Sequence, residues 1–158
     1  MRFHGERQVP APATDVWAAL HDRQVLRTII AGCESMDPLA TDVYAATLAA
    51  RVGPIADTYR GTFSISDILP GSDLRVQVEA KGRCGRLSVD LRVRLLDTPV
   101  HCSTTLRYDA EATVGGLVSR LGKAALTVAG GHFTGCFFRD LDRAVRRELS
   151  VGAPSLAV

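Results

Sequence analysis

A chain of 158 residues has room for one domain, because that length buries about two-thirds of its unfolded surface and supports a single core. Apolar residues at 46% and charged residues at 23% are ordinary globular values, and 19 basic against 17 acidic residues leave a net charge of only +2. No concentrated positive stretch is present to track phosphates, which argues against a nucleic-acid partner.

The opening residues Met1-Arg2-Phe3-His4-Gly5-Glu6-Arg7 lack the apolar stretch of a signal peptide, and no apolar run approaches the length of a membrane span. The expectation is a cytoplasmic protein. Cys33, Cys84, Cys102 and Cys136 lie far apart with no Cys-x-x-Cys spacing and no Cys/His cluster in sequence, so they are expected as thiols rather than as zinc ligands or a redox motif.

Residues 2 to 9 read as a first strand, which Pro10-Ala11-Pro12 stops while supplying a helix start. Val16, Trp17 and Leu20 then fall at helical spacing. Asp22 is placed to cap a second short helix carrying Val25, Leu26 and Ile29, and Gly32 ends it.

From there to about residue 114 the period is two, the signature of strands with one buried and one wet face. Strands are expected near 42 to 52 and 56 to 68, with Val52-Gly53-Pro54 marking a bend or crossover between them, since Pro cannot donate to a ladder. Leu74, Val76, Val78 and Ala80 alternate with Arg75, Gln77, Glu79 and Lys81. Leu87, Val89, Leu91, Val93 and Leu95 alternate with Ser88, Asp90, Arg92 and Arg94, after which Asp97-Thr98-Pro99 turns the chain. A last strand sets Cys102, Thr104, Leu106, Tyr108, Ala110 and Ala112 against polar neighbours.

After Gly115-Gly116 the period returns to 3.6 and predicts one helix of about 30 residues, to Leu149. Its second half carries Arg139, Asp140, Asp142, Arg143, Arg146 and Arg147 opposite Phe137, Phe138, Leu141, Val145 and Leu149, an ordinary surface helix. In the first half Leu121, Ala125, Val128 and Cys136 take the side that later carries charge, and the change falls at Gly130, Gly131 and Gly135. Residues 124 to 138 contain no Asp, Glu, Lys or Arg. Such a segment is either buried all round in its own domain or faces another protein, a second copy or a lipid surface, so a homodimer stays open.

The order of these elements, and the stretches Phe3-x-Gly5, Val9-Pro10-Ala11-Pro12 with Val16-Trp17-x-x-Leu20, Gly32-Cys33-Glu34-Ser35, Val52-Gly53-Pro54, Tyr59-x-Gly61 and Gly115-Gly116-x-x-x-x-Leu121-Gly122, resemble the carbon monoxide dehydrogenase G-subunit family. The resemblance implies an α+β helix-grip fold, as in pollen allergens and lipid-transfer domains: about seven antiparallel strands wrapped around a long C-terminal helix, with two short helices after the first strand. It also implies a single hydrophobic-ligand-binding domain over 1–149, followed by a short flexible tail, 150–158.

In function, the resemblance implies a non-catalytic accessory protein of a molybdenum hydroxylase, working with its subunits and handling a quinone or other lipid at the inner face of the cytoplasmic membrane. Many members read Pro where Ala31 stands. Longer members carry a tail ending in a membrane-associating helix that this sequence does not include, which argues against anchoring by this chain alone.

The inward positions of the last three strands are almost all aliphatic, with Thr104 and Tyr108 as polar exceptions, and their carboxylates fall outward. Such a lining suits an apolar ligand oriented by one or two polar groups and lacks the acid and base pair that a polyketide cyclase or dehydratase of this fold would use. The expected ligand-binding residues are Val76, Val89, Leu91, Leu106, Tyr108, Leu121, Ala125, Val128, Gly131 and His132, the last placed to donate a hydrogen bond to a quinone carbonyl. No metal site and no tightly bound cofactor are expected. A filled interior would instead suit a ligand-free assembly factor.

Overall fold

The computed structural model describes residues 1–98 and 102–152. Strand β1 (Arg2–Val9) is followed by helices α1 (Ala13–Leu20) and α2 (Arg23–Ile29). Six strands then run as a meander: β2 (Cys33–Ala40), β3 (Val43–Val52), β4 (Ile55–Leu69), β5 (Asp73–Lys81), β6 (Arg86–Thr98) and β7 (Ser103–Gly115). A 3₁₀ turn, Leu117–Leu121, leads into α3 (Lys123–Gly152). All neighbours pair antiparallel in the order β1-β7-β6-β5-β4-β3-β2, so β1 closes onto the last strand of the meander.

Local chemistry accounts for the joints. Asp22 Oδ1 accepts from the Gln24 and Val25 amides at 2.9 and 3.4 Å, the expected cap on α2. Gly32 takes φ +79 after that helix, where a Cβ would also strike the Ala49 carbonyl oxygen. Val52-Gly53-Pro54 proves to be a tight hairpin turn, with Val52 paired to Ile55. The turn at Pro99 and His101 lie outside the described residues.

The sheet has one wet and one covered face, as the alternation requires. Val76, Leu91 and Ala110 form one cross-strand row, and Leu74, Val93 and Tyr108 another. On the wet face Arg75–Asp90, Arg94–Asp73, Arg2–Asp109 and Arg107–Glu6 make cross-strand ion pairs, each exposed enough to contribute little to stability.

Over the covered face lie α1, α2 and α3, but the core fills only one end. Val9, Ala11, Val16, Ala19, Ile29, Leu141 and Val145 are fully buried there with Leu106, Leu74 and Met36. Toward the other end, Ala80, Leu87, Val89, Leu91, Ala110 and Ala112 are only half-buried although they point to the same side.

The final helix differs from expectation at its start. Gly122 adopts φ +90, a conformation that ends the 3₁₀ turn and lets α3 begin at Lys123 rather than directly after Gly116. Leu121 therefore sits on the turn and not on the helix face. At the other end α3 runs to Gly152, past the expected boundary at Leu149, whose side chain lies outside the described residues, as do residues 153–158.

Candidate functional site

The half-open end of the covered face is a groove floored by aliphatic side chains of β5, β6 and β7. Of the expected ligand residues, Val89, Leu91 and Tyr108 are half-buried in it, and Ala110 and Ala112 join them. Val76 and Leu106 are buried in the packed core and close its inner end. Leu121 is half-buried on the 3₁₀ turn, where it comes within 3.9 Å of the Cβ position of Gly53 in the β3–β4 hairpin.

The helix residues fall differently. Ala125 is half-buried, whereas Val128 is 73% exposed, and Gly131 and His132 are exposed as well. Residues 130 and 134 instead turn toward the sheet, with Phe137 and Phe138 beyond them. The expectation that His132 and Val128 face a ligand in the groove is therefore not met by this arrangement. Burial of 124–138 all round is not met either, since Ala124, Thr127, Val128, Gly131, His132 and Phe133 are exposed.

The glycines divide by role. A Cβ on Gly130 would lie 2.5 Å from the Phe3 ring, so Gly130 is open to let β1 pack against α3. A Cβ on Gly131 or Gly135 would meet nothing within 4 Å. Gly131→Ala is accordingly expected to raise stability by about 0.4–1 kcal/mol in a urea melt, because a helical backbone with free space gains only from a less mobile unfolded chain.

Polar groups on the covered face are few. Thr104, fully buried, donates to the Ala11 carbonyl oxygen at 2.7 Å, so its hydroxyl is committed to tying β7 to the chain before α1. Tyr108 lies over Gly5, where a Cβ would come within 2.8 Å of its hydroxyl, and its ring centroid is 5.5 Å from that of Phe138. Among the described residues no partner hydrogen-bonds that phenol, which leaves it available to a guest.

Three ionisable residues on this face escaped sequence reasoning. Arg7 faces inward beside Leu106 in the register of β1 and carries its guanidinium 5.3 Å from the Phe138 ring centroid. Asp57 accepts from the backbone amides of Thr58, Arg83 and Cys84 at 2.8, 3.3 and 2.8 Å, bonds that hold its carboxyl below the usual range and pin the β5–β6 turn to β4. Asp67 accepts from His21 Nε2 at 2.9 Å, while His21 Nδ1 bonds the Trp17 carbonyl oxygen at 2.8 Å. These two contacts join α1 to β4 through the His21/Asp67 pair. An alternation rule applied to β4 would have found both carboxylates; the pairing of His21 with a residue 46 positions away had no signal.

Two surface hollows lie apart from the floor of the groove. One, of about 320 Å³, is lined by Arg23, Gln24, Arg27, Thr28 and Cys33; the other, of about 400 Å³, lies along the β3–β4 hairpin from Ala49 to Thr58. In the first, Arg23 and Arg27 already donate to the Met36 and Glu34 carbonyl oxygens.

The family model for the carbon monoxide dehydrogenase G subunit (CoxG) matches residues 5–145, nearly the whole chain. The chain belongs to the CoxG family. No curated protein sequence matches it. Among solved structures, this CoxG family member is similar to a conserved protein from Geobacillus kaustophilus, at 23% identity over 94% of this chain and 97% of that one, with a TM-score of 0.88. It also resembles a START superfamily protein from Mycobacterium smegmatis (10% identity, 92% and 97% covered, TM-score 0.73). A third is the Zhui aromatase/cyclase from Streptomyces sp. R1128 (13% identity, 97% and 98% covered, TM-score 0.70). At such identities these likenesses speak to fold: the CoxG family chain has the helix-grip architecture. No helix among its described residues is long and apolar enough to cross a membrane.

Proposed function

We propose that this CoxG family member is a non-catalytic accessory protein of a molybdenum hydroxylase of the carbon monoxide dehydrogenase type. It binds an isoprenoid quinone or another apolar ligand in the groove and assists membrane recruitment of the enzyme or delivery of its electrons. The observation that carries the ligand reading is the half-buried aliphatic floor of Val89, Leu91, Ala110 and Ala112 beside the unpartnered Tyr108 phenol. Apolar surface that the fold leaves incompletely covered gains free energy from a flat guest, and one phenol suffices to orient a carbonyl. The non-catalytic part is supported by the family and by the commitments of Thr104, Asp57, Asp67 and His21 to the fold.

A short-chain naphthoquinone supplied at about 100 times its dissociation constant is expected to add about 2.7 kcal/mol to unfolding, a rise of roughly 5–10 °C in melting temperature for a domain of this size. Ala112→Trp fills the groove, and it is expected to stay folded while losing that rise. An unchanged melting temperature across a series of benzoquinones and naphthoquinones removes the ligand reading. Turnover of a polyketide-like ketone that Tyr108→Phe abolishes replaces the accessory role with a cyclase.

A further inference from the structure

At the half-open end of the sheet the register sets Arg60 of β4, Lys81 of β5 and Arg86 of β6 side by side in one row on the wet face, with no acid among them. Elsewhere on that face Arg2, Arg75, Arg94 and Arg107 each meet a carboxylate on a neighbouring strand. Like charges directly opposite across strands oppose pairing, so the row costs the fold stability, and an anion from outside the chain relieves that repulsion.

More positive charge gathers around the row. Arg51 lies near the end of β3, Arg83 in the β5–β6 turn, Arg120 on the 3₁₀ turn and Lys123 at the start of α3. The stretches 51–60, 81–86 and 115–123 together hold seven basic residues and one acid, Asp57, against 12 basic and 16 acidic residues in the remainder of the chain. All seven basic residues are exposed, and among the described residues none of them makes an ion pair. The three stretches are far apart in sequence, so no basic run shows there.

The fold ties these stretches into one rim. The Val118 amide donates to the Cys84 carbonyl oxygen at 3.0 Å, Asp57 accepts from the Cys84 amide at 2.8 Å, and Leu121 approaches Gly53 in the β3–β4 turn. The rim borders the open end of the groove, because Lys81 and Arg86 adjoin the half-buried Ala80 and Leu87 of the covered face. Apolar tips stand among the cations: Leu117 is 51% exposed, and Pro54 is exposed in the hairpin turn. Cations around a projecting leucine suit a bilayer interface, where lipid phosphates meet the charge and the acyl boundary takes the side chain. An acidic protein surface answers the charge alone.

We propose that this rim docks on an anionic lipid bilayer, with the Arg60, Lys81 and Arg86 row against headgroup phosphates and Leu117 at the acyl boundary. The inference rests on the membrane-recruitment part of the proposed function, to which it gives a surface and a lipid class, and it does not require the quinone. Docking this way turns the open end of the groove toward the lipid, so an apolar guest enters without crossing water.

The test is sedimentation of the full chain with vesicles of phosphatidylcholine alone or with about one-third phosphatidylglycerol. The expected result is binding to the anionic vesicles only, with release at about 1 M salt, where charges are screened beyond about 3 Å. Arg60→Gln, Lys81→Gln and Arg86→Gln together are expected to weaken binding roughly a hundredfold, while the melting temperature holds or rises as the repulsion is relieved. Leu117→Ser is expected to weaken it roughly tenfold. Arg143→Gln, Arg146→Gln and Arg147→Gln together remove the same charge from the far half of α3 and are expected to leave binding unchanged. An equal loss in that control, or full binding by the row variant, overturns the docking surface while membrane recruitment stands. Failure to bind any vesicle overturns both. Tighter binding to polyglutamate than to vesicles of equal charge, unaffected by Leu117→Ser, assigns the rim to an acidic protein and overturns the proposal.

Discussion

Gly61→Ala is expected to destabilise the domain by about 3 kcal/mol, a fall of roughly 6–12 °C in melting temperature. Gly61 lies in β4, in a cross-strand row with Ala46 on β3 and Ala80 and Leu87 on β5 and β6. A Cβ added there would sit 1.7 Å from the Glu79 carbonyl oxygen and 2.6 Å from the Ala80 Cα. Both are backbone atoms, so no rotamer change relieves the clash; β4 and β5 must move apart and stretch their ladder. The φ of Gly61 is not in the left-handed region, so close approach and not conformational freedom is what the glycine supplies. Urea denaturation followed by circular dichroism measures the loss, and a cost under about 1 kcal/mol means the strands give way locally.

Leu141→Ala is expected to cost about 3–4 kcal/mol, the usual range for a leucine that leaves a void in a rigid surround. Leu141 is fully buried on α3 in one cluster with Val16 and Ala19 of α1, Leu26 and Ile29 of α2, and Val145 on the next turn. Those neighbours come from three helices and the sheet, so no single side chain can collapse into the gap. Leu141→Met, which nearly conserves volume, is expected to cost under about 1.5 kcal/mol. Since Leu141 lies at the packed end, the folded fraction of Leu141→Ala keeps the groove. A denaturation series on the two variants that gives equal losses contradicts the void argument.

The sheet was readable where one face is wet and the other covered. Leu74 to Ala80 and Leu87 to Leu95 alternate cleanly because each outward neighbour meets water, and Asp22 announced the start of α2 because an unpaired helix amide needs an acceptor. On α3 the same logic lost its grip. In 124–138 both sides are uncharged, so periodicity alone does not say which side meets the sheet; Val128 and His132 read as groove residues in sequence but lie exposed. Gly130 decides the matter by touching Phe3, a contact between residues at opposite ends of the chain. Gly122 is likewise silent in sequence, since a lone glycine between Leu121 and Lys123 reads equally as helix interior or as a break; its φ of +90 makes it a break. Arg7 does not read as inward because it sets a charge where the alternation of Phe3, Gly5 and Val9 asks for an apolar side chain.

The pairing of β1 with β7 also sets an order of events during synthesis. Strands β2 to β7 each pair with the strand next in sequence, so that meander can zip up by short steps as it emerges. β1 must wait: Val9 pairs with Thr104, and Arg2 with Glu111, so the first strand made is the last to find its place. α3 emerges later still, and until it docks only α1 and α2 cover the aliphatic face of the meander. Pairings so distant in sequence slow folding, and a sheet face left partly uncovered is the species most prone to self-association. A nascent chain arrested before α3 is therefore the form of this protein that most requires a chaperone.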